Sequence, residues 1–278
     1  MGDGRLSLFE RNAVCNVHDR KRVEETRLFL LSNKVLFHIA VSYNKKGDGM
    51  RHKKRVLLGI GMVCTLMIAT VYMSRFTHII AEKEWRVLNG IVVVLDPGHG
   101  GKDGGAQSGD IMEDEINLAI AFQTKELLEQ AGAQVILTRD GDHDLADKGA
   151  TNRKRQDIRR RMDIMNAEDV DVFISIHLNA YPDAKVQGAQ TFYNEKDEAS
   201  KEFANLIQKK LKVLTKSKMT SKPGDFYLLE NARTMGVLVE CGFLSNPNDR
   251  ALLVKEDYQK ALANVLYKSI KEYFDFLM

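Results

Sequence analysis

Two histidines and a glutamate each stand at the end of an apolar run. His99 follows Ile91-Val92-Val93-Val94-Leu95 through the turn Asp96-Pro97-Gly98. His177 follows Val172-Phe173-Ile174-Ser175-Ile176, and Glu240 follows Val237-Leu238-Val239. Imidazole and carboxylate are the ligand types of catalytic zinc, which takes three protein donors (two His and one Glu is a known set) and leaves a fourth position for water. Singly, each has a bland explanation: a His hydrogen-bonded for structure, a Glu turning toward solvent. All three obeying one rule is much harder to reach by chance. The acidic cluster Glu113-Asp114-Glu115 offers the carboxylate that two histidines need beside them. Acidic residues also favour helix N-termini, where they complement the dipole. Position alone does not choose among the three.

Five apolar, mostly β-branched residues at 91–95 read as a strand buried on both faces. Pro97 cannot continue the ladder, and the glycines at 98, 100 and 101 let the backbone turn sharply. His99 therefore sits on a tight loop past a strand's carboxyl end, where ligand sites form in open α/β sheets. Downstream, periodicity predicts a helix over 115–131 ended by Gly132, a strand at 133–138, and an exposed charged loop at 139–155. A helix at 156–166, strands at 170–176 and 189–193, and an amphipathic helix at 198–214 follow. A short strand at 226–229, a buried one at 236–239 and a last helix at 258–276 complete the chain. Alternating strands and helices give an α/β fold: a single domain whose mostly parallel sheet is flanked by helices on both faces. In such a sheet the ends bearing His99, His177 and Glu240 share one edge. There are no internal repeats and no appended binding module.

The chain has 278 residues and a formal net charge of only +3, of mixed sign, which points to no nucleic-acid partner. Cys15, Cys64 and Cys241 are widely spaced with no CxxC, so a bound metal would be held by histidines and carboxylates. Residues 1–49 show no sustained period and are expected to reflect a start assigned too early, with a cytoplasmic tail as the rival. From Met50 a basic head, Arg51-His52-Lys53-Lys54-Arg55, precedes an uncharged apolar run over 56–73. Residues 50–75 thus read as a membrane anchor or signal, and 76–89 as a linker to a domain at 90–278. A cleavable signal wants small residues in an A-x-A-like pattern; after Met73 only Ile79-Ile80-Ala81 approaches it, and weakly, so an uncleaved anchor is preferred. The basic head keeps the N-terminus cytoplasmic and everything from about Ser74 outside.

Four stretches together resemble a known family. Asp96-Pro97-Gly98-His99-Gly100-Gly101, Glu113 leading into Ile116-Asn117-Leu118-Ala119, Ser175-Ile176-His177-Leu178-Asn179-Ala180, and Val239-Glu240-Cys241-Gly242-Phe243-Leu244-Ser245-Asn246 are similar, in order, to the zinc-dependent N-acetylmuramoyl-L-alanine amidases. The resemblance implies hydrolysis of the amide joining the lactyl group of muramic acid to L-alanine in peptidoglycan. It implies zinc (Zn2+) held by His99, Glu113 and His177, with Glu240 as the catalytic carboxylate. Asp114 stands where the family usually carries Lys or Arg. Within the family the likeness is strongest to the spore-cortex, germination-specific type, which implies a membrane-anchored enzyme outside the cytoplasm and a lipoprotein activator as a plausible partner. Asn179 and Arg139 are candidate substrate contacts, and Asp96 a candidate for orienting His99 or capping the turn. Three alternatives stay open: a vegetative autolysin of the same chemistry, a zinc exopeptidase-like hydrolase, and a non-catalytic wall-binding domain on the same fold.

Overall fold

The computed structural model describes residues 59, 61–73, 75 and 87–277. The chain divides into two compact units, Met1–Ile79 and Ile80–Met278. In the first, residues 61–73 are helical, with Met62, Leu66, Ile68, Val71, Tyr72 and Met73 exposed. Among the described residues no helix is long and apolar enough to cross a membrane. The expected extension, the basic head, the start of the apolar run and most of the linker lie outside the described residues.

The second unit is built on a six-stranded sheet whose strands are β1 (Val92–Pro97), β4 (Gln134–Leu137), β5 (Val172–Asn179), β6 (Gln190–Tyr193), β7 (Lys222–Pro223) and β8 (Gly236–Phe243). Their spatial order is β4-β1-β5-β8-β6-β7. β4, β1, β5 and β8 run parallel, whereas β6 is antiparallel to β8. A small antiparallel pair, β2 (Gln107–Ser108) and β3 (Ile111–Met112), leads into α1 (Glu113–Gln130). The other helices are α2 (Arg153–Met165), α3 (Glu198–Thr215), α4 (Tyr227–Asn231), α5 (Pro247–Leu253) and α6 (Glu256–Leu277). Leu88, at the end of the stretch expected as linker, is fully buried in this unit's core.

Strand side chains alternate between faces, and here they sort into two cores. Val93, Leu95, Ile174, Ile176, Val237 and Val239 pack with Ile116 and Ile120 of α1, Phe203 and Ile207 of α3, and Leu262 and Leu266 of α6. Val92, Val94, Phe173 and Leu238 pack on the opposite face with Met162 and Met165 of α2 and Leu228 and Leu229 of α4. Continuing that second parity outward along each strand reaches Asp96 on β1, Ser175, His177 and Asn179 on β5, and Glu240 on β8. The polar residues therefore occupy the face covered by α2 and α4, at the carboxyl ends of the parallel strands.

Three expectations need correction. Residues 226–229 are not a strand: Tyr227–Asn231 form a turn of helix, with Glu230 N donating to the Phe226 carbonyl at 3.0 Å and Ala232 N to the Leu228 carbonyl at 3.1 Å. A short apolar run fits either element by periodicity, and packing of Leu228 and Leu229 into the smaller core decides for the helix. The charged loop ends at Asn152, because α2 begins three residues earlier than its apolar period. β5 and β8 also outrun their apolar cores, so His177 and Glu240 lie within paired strands, directly opposite one another. Backbone pairing continues past the point where side-chain burial ends.

Candidate metal centre

The site begins with a loop held in an unfavourable shape. His99 has φ of 63°, a left-handed conformation that costs a non-glycine residue energy and persists only when its surroundings enforce it. Two buried guanidinium groups do so. Arg161 of α2 donates to the carbonyls of Pro97 (2.8 Å) and His99 (2.6 Å). Arg139 donates to the carbonyls of Pro97 (2.9 Å), Gly98 (3.0 Å), Asp114 (2.8 Å) and Gly141 (3.0 Å). The two cations sit close together; burial, then the nearby Arg161 charge, pull the Arg139 pKa down. Asp96 compensates them in part. Its carboxylate accepts from Arg161 (2.7 Å), Thr138 (2.6 Å) and Ser175 (2.6 Å). Burial pushes against ionisation of Asp96, but the Arg161 charge and these hydrogen bonds win and hold its pKa below the usual value.

Two sequence expectations change here. Arg139 is not placed as a substrate contact: it is 2% exposed, and its hydrogen bonds go to backbone carbonyls of the loop and the start of α1. A basic residue in a charged stretch reads as exposed, and only the fold reveals a buried ring of carbonyls for it to fill. Asp96 bonds to neither ring nitrogen of His99; it acts on the loop through Arg161.

Past this loop the chain turns through β2 and β3 and enters α1 at Glu113, whose carboxylate is 3% exposed. One oxygen lies 3.3 Å from His99 Nε2 and 3.1 Å from His177 Nδ1. The same oxygen accepts from Leu178 N at 2.9 Å and lies 3.3 Å from the Asn117 amide, while the other accepts from Ala106 N at 2.7 Å. Burial disfavours the ionised Glu113, yet His177 and His99 hold its carboxyl far below the usual range. Burial likewise works against a charged His99, but Glu113 and Asp103 raise its pKa overall. Glu115 is exposed and Asp114 turns away toward Gly104 and Arg139. The acidic cluster thus divides its roles as the dipole argument allowed. Asn117, one helical turn after Glu113, also donates to the Gly98 carbonyl at 3.3 Å, a link that the i+4 spacing signals only in part.

Donor atoms of His99, Glu113 and His177 lie within 4.8 Å of one another. Ligands on one tetrahedral ion with bonds near 2.0–2.1 Å are separated by about 3.3 Å. The two imidazole–carboxylate separations fall close to that spacing, so the residues present fit a small divalent cation. Glycines leave room for the donors. A Cβ on Gly98 would come within 2.2 Å of the His177 ring, and one on Gly105 within 2.5 Å of the Glu113 carboxylate. Gly98→Ala is therefore expected to displace His177 and lower metal content at least tenfold, measured by elemental analysis of the purified full chain.

Glu240 faces His177 across the β5–β8 ladder and is 8% exposed. Its Oε2 is buried with no hydrogen-bond partner among the described residues. Burial, reinforced by the Glu113 charge, pushes its pKa up to about 7 despite the two histidines. These groups open into a cleft of about 390 Å³. Lys154, Asp157 and Arg161 of α2 form one wall, Phe226, Tyr227 and Leu228 another, and Asn179 and Ala180 lie at the end of β5.

The family described as N-acetylmuramoyl-L-alanine amidase matches residues 93–272. The germination-specific N-acetylmuramoyl-L-alanine amidase of Bacillus subtilis (strain 168) is 38% identical over 215 residues, covering 75% of this chain and 91% of that protein. The CwlD amidase of Clostridioides difficile, solved in complex with the GerS lipoprotein, matches with a TM-score of 0.65 at 38% identity, over 67% of this chain and 99% of that one. The catalytic domain of CwlV from Bacillus (Paenibacillus) polymyxa var. colistinus gives 0.59 at 33% identity, over 66% of this chain and 98% of that domain. Motif order, fold and identity over most of the globular unit converge, and the chain belongs to the N-acetylmuramoyl-L-alanine amidase family.

Proposed function

We propose that the chain is a zinc hydrolase acting outside the cytoplasm on spore-cortex peptidoglycan, cleaving the amide between the muramic acid lactyl group and L-alanine. The observation that carries this is the convergence of His99, Glu113 and His177 donors beside the unpartnered, buried Glu240 oxygen. When bound, zinc polarises the scissile carbonyl and lowers the pKa of water toward about 7. Glu240, poised near that pH, accepts the proton of the attacking water and returns one to the departing L-alanine nitrogen. Arg161 and Arg139 keep the His99 loop in position throughout. Asn179, at the cleft end of β5, contacts substrate.

The cortex assignment draws on the germination-specific relative, and an activator lipoprotein on the neighbour solved with GerS. The basic head and apolar run over 50–75 tether the enzyme to the membrane with its globular unit outside. The test pairs zinc analysis of the full chain with product identification from cortex and vegetative peptidoglycan. Free L-alanine amines beside intact lactyl groups are expected, with faster release from cortex. Cleavage between amino acids would instead assign a peptidase. Zinc binding without products, with the activator lipoprotein added, would assign a wall-binding domain, and equal rates on both walls would remove the cortex role.

A further inference from the structure

We infer that Asp103 is a positioning residue for the metal centre: it holds the His99 ring so that Nε2 faces the ion. The inference rests on the metal-dependent reading above. Asp103 lies four residues after His99 on a tight turn closed by two backbone bonds, Gly100 N to Asp103 O at 2.8 Å and Asp103 N to Gly100 O at 3.4 Å. That turn brings Asp103 Oδ1 to 3.2 Å from His99 Nδ1. The same oxygen accepts from Gly105 N at 3.3 Å, and the other lies 3.1 Å from the Lys154 ammonium at the head of α2. Both residues line the mouth of the cleft.

A neutral imidazole carries one N–H, and the tautomer decides which nitrogen is free to bind a cation. His99 Nε2 lies 3.3 Å from the Glu113 carboxylate. A proton on Nε2 would be held there by that carboxylate and would have to leave before metal could bind. Asp103 offers a competing acceptor on the other side of the ring. A proton donated from Nδ1 to Asp103 leaves the Nε2 lone pair pointing at the donor cluster. Carboxylate partners of this kind fix the ring orientation of metal-binding histidines and raise their basicity. Lys154 is 72% exposed, so its own bond to Asp103 is a solvated ion pair of small effect.

The test uses the full chain stripped of metal, with zinc affinity read by competition against a chromophoric chelator. The His99 tautomer is read separately from imidazole nitrogen shifts in the metal-free protein. Asp103→Ala is expected to weaken zinc binding roughly 10–100-fold and to move His99 toward the Nε2–H tautomer. The metal-free melting temperature should hold, because the turn's backbone bonds do not need the side chain. Asp103→Asn keeps an acceptor oxygen and should recover most of the affinity. Lys154→Ala should stay within about threefold of wild type. Unchanged affinity in Asp103→Ala, a loss without any tautomer shift, or a failure of Asp103→Asn to rescue would each overturn the inference. A wild-type chain that binds no zinc would instead remove the metal reading, while the tautomer measurement still decides whether Asp103 holds the ring.

Discussion

Glu240→Gln is expected to retain zinc at the wild-type level and lose turnover on muropeptides by roughly 10²–10⁴-fold, the usual worth of a positioned general base. Gln matches Glu in shape, so the strand pairing with β5 should survive. The substitution should also act on stability, in a direction set by burial. Because the folded-state pKa rises from 4.5 to about 7, the buried acid favours the fold while protonated. That contribution is complete below the unfolded value and disappears as pH climbs through about 7. In the metal-free protein, ionised Glu240 therefore costs up to about 3 kcal/mol at pH 8. Metal-free Glu240→Gln should melt higher than wild type at pH 8 and nearly level with it at pH 4.5. A substitution that leaves activity intact, or equal melting temperatures at both pH values, would contradict the assigned role and environment.

The second large effect belongs to Arg161. Its guanidinium is buried, and it joins the Asp96 and Asp157 carboxylates to the Pro97 and His99 carbonyls. Replacing it with Met keeps much of the aliphatic volume but strands the Asp96 carboxylate, which is fully buried. Breaking a buried pair by removing one partner costs about 3–5 kcal/mol. In a body of this size that lowers the melting temperature by roughly 10 °C. The loop would relax from its left-handed conformation at His99, so zinc affinity should fall as well. Chemical denaturation alongside zinc titration of Arg161→Met checks both. Stability lost with wild-type affinity kept would mean that the loop holds its shape without the clamp.

Much of the architecture was legible because its signals are local. The unbroken apolar run from Ile91 to Leu95 and those before His177 and Glu240 predicted strands buried on both faces, and those strands form the centre of the sheet. The residues 226–229 misled for an equally local reason. Four residues do not distinguish a strand from one turn of helix, and the choice follows from the packing of Leu228 and Leu229 into the smaller core. Arg139 misled because a sequence shows a cation but not the carbonyls awaiting it.

The residue pattern by itself determined that two imidazoles and a glutamate lie at one edge of a parallel sheet, since strand direction and side-chain alternation depend on neighbours along the chain. Residue position left the acidic cluster open and the resemblance named Glu113; the tertiary structure supplies the physical reason. Glu113 enters the cluster because Ala106 N and Leu178 N, one from each side of the site, both donate to its carboxylate. Such a preference belongs to groups 65 residues distant (Leu178) or across a turn (Ala106), and it arises only once β5 and α1 are packed together.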